Sequence, residues 1–424
     1  LLFLRSVLFG LGTKLAGAMT VFIGIPLISK SLPVTDYARF LQLMSAGSAL
    51  TIFFSAAGAI STRYVAQNID RDTTSHSHVD QSFGLFCLLA TVFIIADSAA
   101  LLLHKVDGLL FFTILLNALY GLFMWSDSYR VATRSDHLSS MFQLVGNSAL
   151  IFLLVYLSKQ GLLFITSAYF GIPLIIQLLV FIHIWAENKR LPVPTLSLSG
   201  LWEQARGLGA IVLNSGVEYM KIFGSGLAVK HVSGDTSYAL YTTLILLVAR
   251  LVNPLSLITR PLMPAFIDAT RQRDLQWMKL LMAGLISVSI VALAGALGAA
   301  YLISALHLYR FLPGILGSVQ PEVMIWIMLF FWGHTFTAFV LPIYVSTHRE
   351  STFSIINGIM VVTGISSGYL LLKAGVANAM LITIALSTFA ASTILILTAV
   401  AALITLVKEW ESDGSMEPVV KLKG

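Results

Sequence analysis

The chain has 424 residues, of which 57% are hydrophobic and only 11% are Asp, Glu, Lys or Arg. Soluble domains carry about 25% charged residues, so this chain cannot clothe a water-facing surface, and the bilayer is the solvent that fits. The net charge of +6 does not point to nucleic acid, because an excess of Lys and Arg in membrane proteins records orientation. The single cysteine, Cys87, excludes an internal disulfide.

A spanning helix needs about 20 mostly apolar residues. Twelve segments meet that length: 6–29, 38–61, 82–103, 109–126, 139–158, 162–185, 207–229, 238–259, 280–304, 323–345, 352–372 and 376–407. The predicted fold is therefore all-α, a polytopic membrane protein of about 12 transmembrane helices. The first span holds Lys14 and shows no cleavable signal. After the second comes a polar loop with His76 and His78, too few ligands for a metal site. Asp97 lies toward the outer end of the third span, where an interfacial position is expected. Asn117, Asn147 and Asn357 are expected to hydrogen-bond between helices. No Walker A pattern occurs, so ATP is not the evident energy source.

Loop charge sets the orientation. With a cytoplasmic N-terminus, sixteen Lys and Arg fall on the inner side, seven on the outer side and three within spans, out of 26. That bias places both termini inside. The chain also repeats itself. "GLGTK" (10–14) opens the first span and "GLGAI" (207–211) opens the seventh, while "STRYVA" (61–66) and "ITRPLM" (258–263) close the second and the eighth. Gly10 to Arg63 and Gly207 to Arg260 are both 53 residues. Six spans per half make the repeat parallel, with a site expected between the halves. The predicted organisation is an N-terminal six-helix lobe (1–185), a cytoplasmic linker (186–206), a C-terminal six-helix lobe (207–407) and a cytoplasmic tail (408–424).

Four ionisable residues stand out within spans: Lys14, Glu218, Lys221 and Arg250. Each costs about 2.5–3.5 kcal/mol at a helix centre, so lipid-facing placements are excluded unless the charge is paired. Glu218 and Lys221, in "NSGVEYMKIFGS" (214–225), share a helical face. Two readings stand. Either they form a structural pair that neutralises itself, or they line a hydrated cavity whose cations, Lys14, Lys221 and Arg250, bind an anionic substrate. In the second reading Glu218 tethers Lys221 or takes up a coupling proton, and Asn214 joins it on the cavity wall. Pro254, one turn beyond Arg250, frees a backbone carbonyl and kinks the eighth span.

"GLGTKLAGAMTVFIGIPLISKSLPVTDYARF" (10–40) and "FFSAAGAISTRYVA" (53–66), with twelve spans in two halves, resemble the polysaccharide-transporter or O-antigen flippase branch of the MOP exporter superfamily. In "TDYARF" (35–40), Ala38 stands where that family often has Gly. The resemblance implies a MATE/MOP-like fold in a bacterial inner membrane. It implies movement of an undecaprenyl-diphosphate-linked oligosaccharide, such as an O-antigen unit, to the periplasmic leaflet by alternating access. It further implies no cofactor, coupling to H+ or Na+ if transport is coupled, and transient contact with polysaccharide polymerase machinery. The alternatives are an ion-coupled multidrug antiporter of the same superfamily and a membrane polysaccharide-processing enzyme. An outer loop of about 20 residues (304–322) is short for the latter.

Overall fold

The fold is that of a computed structural model, which describes residues 12–13, 15–68, 75–133, 135–197, 208–252, 269, 272–306, 320–346 and 349–412. Every regular element among them is helical. In chain order they are α1 (Leu15–Ser31), α2 (Val34–Asn68), α3 (Ser75–Leu102), α4 (Gly108–Phe123), α5 (Trp125–Ala132), α6 (Asp136–Leu157) and α7 (Leu162–Asn188). There follow α8 (Leu208–Tyr219), α9 (Ser225–Val252), α10 (Leu275–Ala305), α11 (Val323–Ser346), α12 (Glu350–Lys373) and α13 (Ala379–Ser412). Among the described residues, nine helices are long and apolar enough to cross a membrane. They match the expected second to sixth and ninth to twelfth spans. The other three expected spans are those that carry internal charge. The first is present as the shorter apolar helix α1, and the seventh and eighth as α8 and α9.

Local chemistry sets the helix boundaries. Asp107 caps α4 by accepting from Leu110 N at 2.8 Å, and Asp274 caps α10 by accepting from Trp277 N at 2.9 Å. Gly234, at φ 80° and ψ −175°, turns the chain inside α9, and Lys230 pairs with Asp235 across that turn at 2.8 Å. Only glycine adopts this backbone cheaply. One boundary differs from expectation. The fourth span does not end at 126: it tightens at Met124 and continues as α5, so one span runs from Gly108 to Ala132. Asp127 and Arg130, beyond the expected end, therefore sit within it.

Two π turns interrupt the helices, Thr20–Gly24 within α1 and Met220–Gly224 between α8 and α9. Each has a hydroxyl on a nearby carbonyl: Thr20 donates to Ala16 O at 2.9 Å and Ser225 to Lys221 O at 2.6 Å. Such back-bonding bends helices.

The chain divides into two compact units. The first comprises Leu1–Pro254 with Tyr309–Val319, so it takes in α8 and α9 as well as α1 to α7. Its inner core joins Ile25, Tyr37, Phe40, Leu154, Ile165 and Tyr238, and a second cluster gathers Phe54, Phe83, Phe86, Trp125 and Val180. Tyr37 hydrogen-bonds Thr243 at 2.5 Å, and Ser45 hydrogen-bonds Tyr219 at 2.9 Å, fastening α2 to α9 and α8. The second unit, Leu255–Leu308 with Gln320–Gly424, packs Met278, Trp332, Phe336, Phe353 and Leu395 together. Small residues let its helices approach: Ser392 donates to Gly333 O at 2.5 Å and shares a hydrogen bond with Thr337 at 2.8 Å.

Candidate functional site

The acid–base pair of the seventh span forms. Lys221 sits in the π turn with 0% of its side chain exposed, and its Nζ donates to Glu218 Oε1 at 2.8 Å. Glu218 retains 26% exposure. Asn214 lies one turn before Glu218, and its Oδ1 is buried without a hydrogen-bond partner among the described residues. The carbonyl of Lys221 accepts from Ser225, whose Oγ in turn accepts from Tyr241 OH at 2.8 Å. The structure thus brings Asn214, Glu218 and Lys221 onto one helix face with the ammonium wholly internal. Lys14, Pro254 and the side chain of Arg250 lie outside the described residues; the backbone of Arg250 belongs to α9.

A cavity of about 460 Å³ opens within the first unit, among α1, α2, α4, α6 and α7. That is within the roughly 300–1,000 Å³ of small-ligand pockets. Four side-chain amides line it, those of Asn117, Gln143, Asn147 and Gln177, together with Tyr120, Tyr169 and Phe170. None of the described lining residues is charged. Asp127 stands behind the wall: its Oδ2 accepts from Gln143 Nε2 at 2.7 Å and from Gln177 Nε2 at 2.5 Å. Gly47 keeps this space open. A Cβ there would meet the Asn117 amide nitrogen at 2.7 Å.

Charged residues near the ends of this unit are mostly paired. Arg130, 4% exposed, bonds Glu187 Oε2 at 2.6 Å and His183 Nδ1 at 2.6 Å, both from α7. Asp80 holds the linker: Arg190 reaches its Oδ2 at 2.6 Å and Val193 N its Oδ1 at 3.0 Å. His78 sits on α3 rather than in a loop, 2.9 Å from Tyr64 OH, and the described residues contain no cluster of metal ligands. Asp97 differs from expectation. It is 6% exposed, and neither carboxylate oxygen has a hydrogen-bond partner among the described residues. Asn147 reaches between helices to Thr13 O at 3.4 Å, but Asn117 turns back to Thr113 O on its own helix at 2.8 Å.

The amide-lined cavity escaped the sequence reading because its residues are spread over five helices and none is charged. Asp127 was within reach: an acid one residue beyond an assigned span end, followed three residues later by Arg130, signals a helix that continues.

These elements define a polytopic, all-α membrane protein, and its fold is that of the MATE transporters of the MOP superfamily. The chain matches the outward-facing conformation of a multidrug resistance MATE family transporter with a TM-score of 0.64 and 13% identity, over 96% of both chains. It matches an inward-facing conformation of such a transporter with a TM-score of 0.63 and 13% identity, over 95% of this chain and 99% of that one. A MOP superfamily transporter from Pyrococcus furiosus, whose binding pocket is described as reversed in polarity, matches with a TM-score of 0.61 and 12% identity over 96% of both. No protein-family model matches the chain, and no curated protein matches its sequence.

Proposed function

We propose that this chain moves an undecaprenyl-diphosphate-linked oligosaccharide from the cytoplasmic to the periplasmic leaflet of a bacterial inner membrane. It does so by alternating access between the lobes 1–185 and 207–407. In this reading Lys14 and Arg250 meet the diphosphate, and Lys221 joins them when Glu218 releases it. Asn214 and Pro254 shape the path beside them. The observation that carries the reading is the uncharged described lining of the cavity in the first unit. Its described lining offers amides, hydroxyls and aromatic rings, and the adjoining carboxylate, Asp127, is occupied by two glutamines. A carrier of cationic drugs needs an acid presented to its cargo, whereas a glycan needs neutral hydrogen-bonding groups.

The second reading is an ion-coupled multidrug antiporter, favoured by the multidrug MATE transporters of the same fold. Fold alone does not select between the two, because function resides in the site grafted on the fold. The Pyrococcus furiosus transporter, for which reversed pocket polarity suggests a different function, makes pocket charge the quantity to compare. The test is flipping of a lipid-diphosphate glycan in proteoliposomes, with and without H+ or Na+ gradients, beside ethidium transport in the same vesicles. Glycan flipping that is lost in Arg250→Ala and Lys14→Ala supports the proposal. Ethidium transport without glycan flipping refutes it in favour of the second reading.

A further inference from the structure

The amides of the first-unit cavity share one orientation. Each spends an N–H on an acceptor of the protein: Asn117 on Thr113 O, Asn147 on Thr13 O, and Gln143 and Gln177 on Asp127 Oδ2. A side-chain amide has two N–H donors and one carbonyl acceptor, so each of the four keeps its carbonyl oxygen and a second N–H for a ligand. Hydroxyl donors on the wall are likewise turned to the main chain, Thr20 to Ala16 O at 2.9 Å and Thr51 to Ser48 O at 2.8 Å. Gln177 shows the outcome most sharply. It is 2% exposed, and its Oε1 has no hydrogen-bond partner among the described residues. A buried acceptor left unpaired costs about 1–3 kcal/mol, which a ligand donor would recover.

We propose that this cavity is a sugar subsite, in which hydroxyl groups of the cargo's glycan donate to the carbonyls of Asn117, Gln143, Asn147 and Gln177. The choice of ligand class rests on the polarity of the wall. A diphosphate carries charge and brings only acceptors, and it would meet no cation among the described lining residues. A cationic amine would seek Asp127, which stands behind the wall, is not one of the lining residues and already accepts from two glutamines at Oδ2. A sugar ring brings several neutral O–H donors and an apolar C–H face, and Tyr120 and Tyr169 supply aromatic surface for the latter. Asp127 is then a positioning residue. By accepting from both glutamines it fixes which end of each amide faces the cavity.

This inference rests on the flippase reading, and the experiment separates the two. The full-length protein in nanodiscs is titrated with undecaprenyl diphosphate and with the same lipid bearing glucose, galactose or N-acetylglucosamine. The expected result is that at least one sugar-bearing lipid binds tenfold or more tighter than the bare lipid. Gln177→Met and Tyr120→Leu should each erase that gain while leaving the affinity for the bare lipid within twofold. Asp127→Asn, which permits either amide to turn, should lower the gain without abolishing binding of the bare lipid. Equal binding of bare and sugar-bearing lipids by the unaltered protein overturns the subsite alone. A gain that survives in all three variants places the sugar elsewhere and also overturns it. Failure of the unaltered protein to bind any of the four lipids overturns the flippase reading itself.

Discussion

The Glu218–Lys221 pair offers the sharpest energetic test, because burial differs between its partners. Lys221 is fully enclosed and Glu218 keeps 26% exposure, with Nζ and Oε1 at 2.8 Å. Removing one partner of a buried pair costs about 3–5 kcal/mol, because the other charge is stranded in a low-dielectric site. Glu218→Gln strands an ammonium with no exposure, although the amide oxygen still accepts, so about 3–4 kcal/mol is expected. Lys221→Met takes the ammonium from a carboxylate that is 26% exposed, and about 2–3 kcal/mol is expected. The double variant loses both charges while keeping nearly the same volume, and its cost should be below about 1 kcal/mol, since deleting a whole pair is often neutral. The non-additivity therefore amounts to about 4 kcal/mol or more, well above the roughly 0.5–3 kcal/mol common for coupled neighbours. Equilibrium unfolding of the four proteins in mixed detergent micelles measures it. Single-variant effects that simply add would refute the buried pair. Transport measured on the same four proteins then separates structure from mechanism. A double variant that is stable yet inactive assigns the pair to the transport cycle, and this is the expected result; recovery of full transport would make it structural.

Individual contacts set the remaining expectations. Gly121→Ala should destabilise by about 1–3 kcal/mol through overpacking, since a Cβ there would run into the Phe54 ring, while Gly171→Ala, with nothing within 4 Å, should be tolerated when thermal unfolding is followed. Asp80→Ala should release the linker and raise the rate of proteolysis within residues 190–197, because it removes the acceptor of both Arg190 and Val193. Cysteine at position 233 should label from outside the cell and cysteine at 197 should not; the reverse pattern would invert the topology. Arg250→Lys should restore only part of the activity lost in Arg250→Ala, as read by glycan flipping, because lysine lacks the planar fork that holds two phosphate oxygens.

Much of the architecture was legible because lipid imposes a simple rule on composition: apolar runs of the right length become helices. The rule weakens where charge interrupts the run. It set the fourth span's end at 126, where the apolar run meets Asp127 and Arg130. In the folded chain Gln143 and Gln177 both donate to Asp127 Oδ2, and Glu187 and His183 accept from Arg130. Such compensation comes from helices distant in sequence, so no local pattern announces it. Glu218 and Lys221 were found because their pairing is local, three residues apart on one helix. The amide-lined wall was not, because it depends on the direction in which amides turn, and that direction is fixed only by tertiary partners. Asn117 illustrates the point: its bond to Thr113 O was invisible until the backbone was in place.

The sequence echo between the first and seventh spans has a counterpart in the two π turns. Both π turns end on glycine, Gly24 in "TVFIG" and Gly224 in "MKIFG", and those glycines are 200 residues apart. Tyr37 and Tyr238, both almost fully buried in one core, are 201 apart. The opening glycines, Gly10 and Gly207, are 197 apart, as are Arg63 and Arg260. A π turn accommodates an extra residue within a continuous helix, at a cost that is kept mostly at functional sites. Lys221 lies within the second π turn, at the place where the first has Val21, which is 3% exposed in the same unit. The two halves thus share a bend, and the second places a cation where the first places a methyl-bearing side chain. An acid one turn away, Glu218, is what makes that exchange tolerable, and its presence in one half only is the asymmetry from which directional chemistry in a symmetric fold can arise.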